Sequence, residues 1–203
     1  MGYSWRRIRL SLKTFRNEDE FKSKQHQISE LVNLDKCGYI DLYFADESHF
    51  GLTPNVPYAW QHKENSILLP SKKSTRLTVF GLLKTDCSLK HYTTIGSMNS
   101  SKLIECLDKF CQTMTKKTVV VLDNAPIHKS RLFKLKIQEW EKQDLLIFFL
   151  PPYSPELNKI EILWRFIKYK WLPFDAFLNF NNLKDRLNEV LNQIGSKYVI
   201  KFY

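Results

Sequence analysis

Thr118-Val119-Val120-Val121-Leu122-Asp123-Asn124 is an unbroken run of apolar and β-branched residues that ends in an acid and an amide. Such a run is typical of a strand buried on both faces, and we predict that residues 118–122 form the centre of a sheet covered by helices. A charged group at the end of so buried a strand is costly unless it meets a partner or a metal ion. Asp123 is therefore the first candidate site residue.

Three strands are predicted before this run, over residues 40–46, 76–83 and 90–95. The first alternates apolar and polar side chains and ends at Asp46, which is the period-two pattern of a strand. The other two are close enough to pair across a turn at residues 85–86. Asn99 or Ser100 can then cap a helix.

Helix and strand alternate after Asp123, with helices over residues 130–142 and 182–195 and a buried strand over 145–150. Pro151-Pro152 stops that strand, and Ser154-Pro155-Glu156 is predicted to begin a third helix with a cap and a proline at its first position. The sum is three strands, helix, strand, helix, strand, helix. This α/β order, in one mixed sheet covered by helices, matches the ribonuclease-H-like architecture.

Composition limits the remaining possibilities. The 203 residues are 43% hydrophobic and carry a formal charge of +10, so we expect one compact domain with a small appendage and attraction to a polyanion, with nucleic acid as the leading candidate. Solvated lysine-rich faces are the alternative explanation of the charge.

Residues 1–36 are predicted to be a basic, partly helical arm or linker and residues 37–203 the main domain. With neither a signal-peptide core nor an apolar span, we expect a soluble cytoplasmic protein.

Three carboxylates are placed to share a metal site: Asp46 and Asp123 at strand ends and Glu161 on a helix. A pair of cations about 3.5–4 Å apart can activate the attacking oxygen and neutralise the leaving oxygen in phosphoryl transfer. Mg²⁺ prefers such hard oxygen ligands, and no cysteine or histidine cluster competes. Glu47 is a weaker alternative ligand. Glu156 is assigned to the N-terminus of its helix, where a carboxylate complements the helix dipole.

An amide, an imidazole and a cation follow the acid of the 118–122 strand, at Asn124, His128 and Lys129. These groups can hold a phosphate or a water, although a local hydrogen bond at the start of a helix explains His128 equally well. The segment between the first two strands, rich in glycine and proline, favours short strands or turns at residues 58–60 and 67–69, and Trp60 in it is less easily explained as core.

The chain resembles a known family through three strings. They are Tyr43-Phe44-Ala45-Asp46-Glu47-Ser48, then Val121-Leu122-Asp123-Asn124-Ala125-Pro126-Ile127-His128, then Leu150-Pro151-Pro152-Tyr153-Ser154-Pro155-Glu156-Leu157-Asn158 with Ile160-Glu161 and Leu163-Trp164. They are similar to the acidic motifs of the DDE transposases of the mariner superfamily, especially its bacterial insertion-sequence branch. The resemblance implies that Asp46, Asp123 and Glu161 are the catalytic triad and bind two Mg²⁺ or Mn²⁺ ions.

The resemblance also implies partners and a reaction. Metal-activated water cuts double-stranded DNA at the transposon end, and the freed 3′-hydroxyl then attacks target DNA, with a homodimer holding two ends together. The DNA-backbone candidates are basic residues, namely Lys72, Lys73, Arg76, Lys129, Arg131, Arg165 and Lys168. In the cell such a protein would be associated with the nucleoid.

Two departures from the family pattern stand out. Lys159 occupies a position where the family usually has proline, and 37 residues separate Asp123 from Glu161, somewhat more than in animal members. At the front, residues 2–7 look like the tail of a helix-turn-helix module, which suggests a catalytic-domain fragment or a truncated reading frame. Two alternatives therefore stay open: a ribonuclease-H-like nuclease that cuts without joining, and an inactive DNA-binding relic.

Overall fold

A five-stranded sheet with helices on both faces forms the body of the protein in a computed structural model that describes residues 13–55, 63–64, 68 and 75–200. The strands are β1 Asp41–Phe50, β2 Leu77–Lys84, β3 Leu89–Ile95, β4 Thr118–Leu122 and β5 Leu145–Phe149. The helices are α1 Glu18–Lys36, α2 Ser100–Cys111, α3 Arg131–Glu141, α4 Ile160–Phe166 and α5 Phe180–Asn192. Shorter helical turns are Lys13–Phe15, Pro126–Lys129, Pro155–Leu157 and Phe174–Phe177, and a π-helical turn, Ile167–Trp171, continues α4.

The strand order is β3-β2-β1-β4-β5, with β1 antiparallel to β2 and parallel to β4. The predicted succession of strands and helices is confirmed, but the prediction that residues 118–122 are the centre of the sheet is wrong. β1 is the central strand. Every residue of β4 is buried because strands flank it and helices cover it, and these conditions hold for any interior strand.

The strand β1 does not end at Asp46, as its pattern predicted, but continues to Phe50. Its pairing with β4 stops at Phe44 opposite Val121, whereas its pairing with β2 runs on, with Asp46 opposite Gly81. The two parallel strands therefore part just before the first acid. A gap at the carboxyl ends of parallel strands is the usual place for a binding site in an open α/β sheet.

Two apolar layers cover the sheet. On one face Phe44 packs in a cluster with α4, α5 and residues of α1, and on the other face Ala45 packs with α2 and α3. Because neighbouring residues of a strand point to opposite faces, Asp46 shares the face of Phe44 and Glu47 shares the face of Ala45. The alternation thus sends the two adjacent acids of the first motif to different layers.

The helix α1 is seated on the first of these layers. The Asn17 side chain caps its N-terminus by accepting from the Asp19 and Glu20 amides, and Ile28 is buried in the core cluster. Near its C-terminal end, Asp35 accepts a hydrogen bond of 3.0 Å from the amide of Leu42. No helix in the described part of the chain is both long enough and apolar enough to cross a membrane.

The predicted helix start at Ser154-Pro155-Glu156 is wrong. Those residues form a 3₁₀ turn, Pro155–Leu157, and α4 begins only at Ile160. Glu156 accordingly does not serve the N-terminus of α4; its carboxylate accepts a hydrogen bond of 2.6 Å from Arg16. The cues for a cap and a first-position proline were present, but they mark a 3₁₀ turn equally well. The predictions for residues 58–60, 67 and 69, with Trp60, lie outside the described residues.

Candidate active site

A cavity of about 530 Å³ opens where β1 and β4 part. Its wall comes from the loops after β4 and β5, from the middle of β1 and from the first turn of α4. The lining residues are Asp46, Asp123, Asn124, Ala125, Pro126, Lys129, Leu150, Pro151, Pro152, Tyr153, Ser154, Pro155, Asn158 and Glu161. All three predicted triad residues therefore face one space, although they come from positions up to 115 residues apart in the sequence.

Asp46 is the most enclosed of the three acids. Its Oδ2 accepts a hydrogen bond of 3.1 Å from the indole Nε1 of Trp164, which is buried under α4. Burial, reinforced by the negative charges of Glu161, Glu47 and Asp123, raises the pKa of Asp46 to about 8. Without a cation beside it, this carboxyl group is therefore largely protonated at neutral pH.

Asp123 lies in a different environment, at the half-exposed mouth of the cavity. Its Oδ1 accepts a hydrogen bond of 3.1 Å from the amide of Ala125 and lies 3.1 Å from Nδ1 of His128. Burial alone would raise the pKa of Asp123, but the contact with His128 outweighs it and the pKa is lowered. Burial would lower the pKa of His128. Its hydrogen bonds to Asp123 and its contact with Glu47 outweigh burial and raise the pKa of the imidazole to about 10.

Glu161 enters from the first turn of α4, and the turn before it is tied to β1. The side-chain amide of Asn158 donates a 3.0 Å hydrogen bond to the carbonyl of Ala45, and the Glu161 amide donates to the carbonyl of Asn158 at 3.2 Å. The pairing of β1 with β4 ends at Phe44, and the Asn158 amide bonds to the main chain of β1 at the next residue. Partial burial and the charge of Asp123 raise the pKa of Glu161, while nearby Lys168 opposes the shift.

The carboxylates line one cavity but do not close around a single point. Among the described residues, no three histidine, cysteine, aspartate or glutamate side chains are arranged as ligands of one ion. The donor set nevertheless fits a divalent cation. It consists of hard oxygen atoms, and burial together with the charges of Glu161, Glu47 and Asp123 raises the pKa of Asp46, so a cation in the cavity would favour its charged form.

The other predicted site residues separate into two groups. Asn124 and Lys129 line the cavity, whereas Arg165 is exposed and lies outside its lining. His128 is 2% exposed, so its ring contacts Asp123 and offers almost no surface to a substrate. Glu47, the alternative ligand, faces away from the cavity toward His128.

Two contributors were missed from the sequence. Asn158 and Trp164 belong to the third motif, but the sequence does not reveal that Asn158 bonds to the Ala45 carbonyl or that Trp164 donates to Asp46. The signal that could have found Asn158 is its position three residues before Glu161 in the same short motif. Among the basic candidates, Lys72 and Lys73 lie outside the described residues, and Lys168 is half-buried near Glu161 and Asp46.

Comparison with known proteins decides the family. The family model described as DDE superfamily endonuclease matches residues 41–184, which contain all three acids. The chain belongs to the DDE superfamily of endonucleases. A 39 kDa protein of insertion element IS630 from Shigella sonnei, itself described as uncharacterized, is 26% identical to this DDE chain over 171 residues, or 81% of the chain and 47% of the relative.

Solved structures support the fold of the DDE domain. The Mos1 transposase paired-end complex with the left transposon end aligns with a TM-score of 0.60 at 13% identity, covering 100% of this chain and 62% of that one. The catalytic domain of Mos1 mariner transposase aligns with a TM-score of 0.55 at 14% identity, covering 93% and 85%. Other Mos1 complexes contain Mn and Mg. The predicted family resemblance and the predicted ribonuclease-H-like fold are confirmed. The chain spans about half the length of the curated relatives it matches.

The enclosed carboxyl group of Asp46 predicts a pH dependence of the metal-free DDE domain. A pKa raised from 3.8 to about 8 means that the fold favours the neutral acid, so this stabilisation is complete below about pH 4 and is lost as the pH rises toward 8. We expect the melting temperature in EDTA to fall between about pH 5 and pH 8.5. Glu161, with its raised pKa, contributes in the same direction.

The matched variant is Asp46→Asn, which removes the titrating group but keeps an oxygen that can accept from Trp164. Its melting temperature should change much less between about pH 5 and pH 6.5, because His128, whose pKa is raised to about 10, loses stabilisation only above that interval in both proteins. An equal fall in the variant would contradict the assignment of the effect to Asp46. Thermal melts followed by circular dichroism are sufficient.

Proposed function

We propose that this chain carries the catalytic domain of a transposase, which cuts DNA at the ends of an insertion element and joins the freed ends to target DNA. Asp46, Asp123 and Glu161 would form the catalytic triad and hold two Mg²⁺ or Mn²⁺ ions. The observation that carries the proposal is that these three acids line one cavity at the parting of β1 and β4. The similarity to IS630 and Mos1 proteins supports it.

The bound ions would activate the attacking oxygen and neutralise the leaving oxygen at phosphorus. The chain's own residues supply position and charge. Asp46 is fixed by the sheet and by Trp164, and Glu161 is fixed by the Asn158 bond to β1. Lys129 and Asn124, which line the cavity, would hold a DNA phosphate. No residue would bond covalently to the DNA, because the nucleophiles of the two displacements at phosphorus would be water and the freed 3′-hydroxyl of the DNA itself.

We also propose the division of the chain. Residues 37–203 would be the catalytic domain, in agreement with the family match that begins at residue 41. Residues 1–36 would link it to a DNA-reading module, with α1 resting on the catalytic domain through Ile28. Double-stranded DNA is the proposed partner, because the net charge is +10 and a Mos1 relative was solved with a transposon end. A homodimer would bring two ends together near the nucleoid.

Calorimetric titration of Mn²⁺ tests the site without requiring the correct DNA. We expect saturable binding by the unmodified chain and loss of that binding in Asp123→Asn, because the half-exposed carboxylate of Asp123 is one wall of the site. Asp144→Asn is a matched control, since Asp144 lies in the loop before β5 and outside the cavity lining. Equal weak binding by all three proteins would exclude an assembled metal site and favour a relic.

A strand-transfer assay separates joining from cutting. DNA labelled at the 3′ end of an insertion-element terminus is incubated with Mn²⁺ and an unlabelled target duplex. A transposase attaches the label to the target, whereas a nuclease of the same fold releases shorter labelled products and no joined species. Shorter labelled products without a joined species would be consistent with the proposed metal site but would contradict the proposal that the protein is a transposase.

A further inference from the structure

His128 and Glu47 are buried polar residues that the proposed chemistry does not use. The side chain of His128 is 1% exposed and that of Glu47 is 12% exposed, and neither lines the cavity. Burial of an acid and an imidazole is unfavourable unless each has a partner. Their surroundings must therefore supply one.

The Nδ1 atom of His128 has its partners on Asp123. It lies 2.9 Å from the main-chain oxygen and 3.1 Å from Oδ1 of that residue. Both atoms are acceptors, so Nδ1 must carry the proton and donate. One ring nitrogen thus contacts both the main-chain oxygen and the carboxylate of Asp123, and it restrains the position of the carboxylate relative to the main chain.

The Nε2 atom of His128 faces Glu47. It lies 3.8 Å from Glu47 Oε1, which is within ion-pair range, and neither atom has a hydrogen-bond partner among the described residues. Phe133 and Phe149 flank the ring, with centroids 5.6 Å and 6.5 Å from the imidazole centroid. The ring is therefore confined between two acids and two aromatic side chains.

We infer that Glu47 and His128 form a brace that positions the Asp123 carboxylate for metal binding. Asp46 and Glu47 are neighbours on β1 with side chains on opposite faces of the sheet. One lines the cavity, and the other reaches the second acid from behind through His128. Glu47 and His128 are thus positioning residues, comparable to the outer partners that orient metal ligands in other proteins. The inference rests on the proposed metal site.

The test is Mn²⁺ titration of the full chain and its variants at one pH. Removal of an outer partner typically weakens metal binding by about 10- to 100-fold. We expect about tenfold weaker binding for Glu47→Gln and a larger loss for His128→Ala. His128→Asn should lose about as much affinity as Glu47→Gln and less than His128→Ala, because its amide can donate near the position of Nδ1 but cannot reach Glu47. Glu139→Gln is the matched control, since Glu139 is exposed on α3 and should leave the affinity unchanged.

The double variant shows whether Glu47 acts through the ring. In the His128→Ala background, Glu47→Gln should change affinity by less than about twofold, whereas an effect transmitted through space would persist. If His128→Ala does not fold, the same comparison is made in His128→Asn. Unchanged affinity in Glu47→Gln, with binding lost in Asp123→Asn, would overturn the brace alone. No saturable binding by the unmodified chain would overturn both the proposed function and the brace.

Discussion

Asp46→Asn is expected to lower metal-dependent DNA cleavage by about a thousandfold or more, with the fold retained. Loss of a ligand from a metal site removes several kcal/mol of transition-state stabilisation, and about 1.4 kcal/mol corresponds to each factor of ten. The variant keeps the size of the side chain and an acceptor for the Trp164 indole. Cleavage of supercoiled plasmid in Mn²⁺, measured over several hours, would record the loss.

Asp41→Asn is the matched control for this experiment. Asp41 lies on the same strand, five residues before Asp46, and pairs with Lys84 at 2.8 Å and Lys116 at 3.1 Å. The control should lower the melting temperature, because two lysines lose a partly buried partner, yet retain cleavage. If Asp41→Asn and Asp46→Asn lost activity equally, the effect would reflect damage to β1 and not the loss of a ligand.

Gly81→Ala is expected to destabilise the protein by about 1–3 kcal/mol, the usual cost of overpacking a core. Gly81 lies opposite Asp46 on β2, and an added Cβ would lie 2.8 Å from Trp164 Cη2 and 3.0 Å from Ile160 Cδ1. The buried indole must then shift and carry its hydrogen bond away from Asp46. Chemical denaturation measures the loss of stability. Mn²⁺ titration should show weaker metal binding, because the hydrogen bond from Trp164 to Asp46 is disturbed.

Trp164→Phe provides the compensating change for Gly81→Ala. A smaller ring removes the clash, so the double variant should recover stability relative to Gly81→Ala. It should not recover metal affinity, because phenylalanine cannot donate to Asp46 Oδ2. Recovery of both properties would mean that the indole serves only as packing. Recovery of neither would mean that Ile160 and not Trp164 is the critical neighbour.

The sequence predicted the elements well because their signals are local. The alternation in β1, the apolar run of β4 and the turn between β2 and β3 each depend on a few neighbouring residues. The three acids were found for the same reason, since each follows or interrupts such a pattern. The meeting of Asp46 and Asp123 then follows from the parallel pairing of β1 with β4, whereas Glu161 is held near them by the bond from Asn158 to β1.

The wrong predictions depend on contacts between distant residues. Burial on both faces did not distinguish the centre of the sheet from its neighbouring strand, so β4 was placed where β1 lies. Glu156 has a helix-terminus signal in the sequence, but its partner is Arg16, 140 residues away. His128 and Glu47 illustrate the same limit, because neither pattern nor spacing reveals that a ring and an acid 81 residues apart face each other.

The bond from Asn158 to the Ala45 carbonyl has a consequence for how this chain can change in length. An insertion between Asn158 and Glu161 would break the hydrogen bond from the Glu161 amide to the Asn158 carbonyl and move the acid away from the point where Asn158 is tied to β1. The 37 residues between Asp123 and Glu161 hold α3, β5 and their loops, where extra residues can be absorbed at the surface. Relatives of this chain should therefore vary freely in the long interval and keep the short one constant.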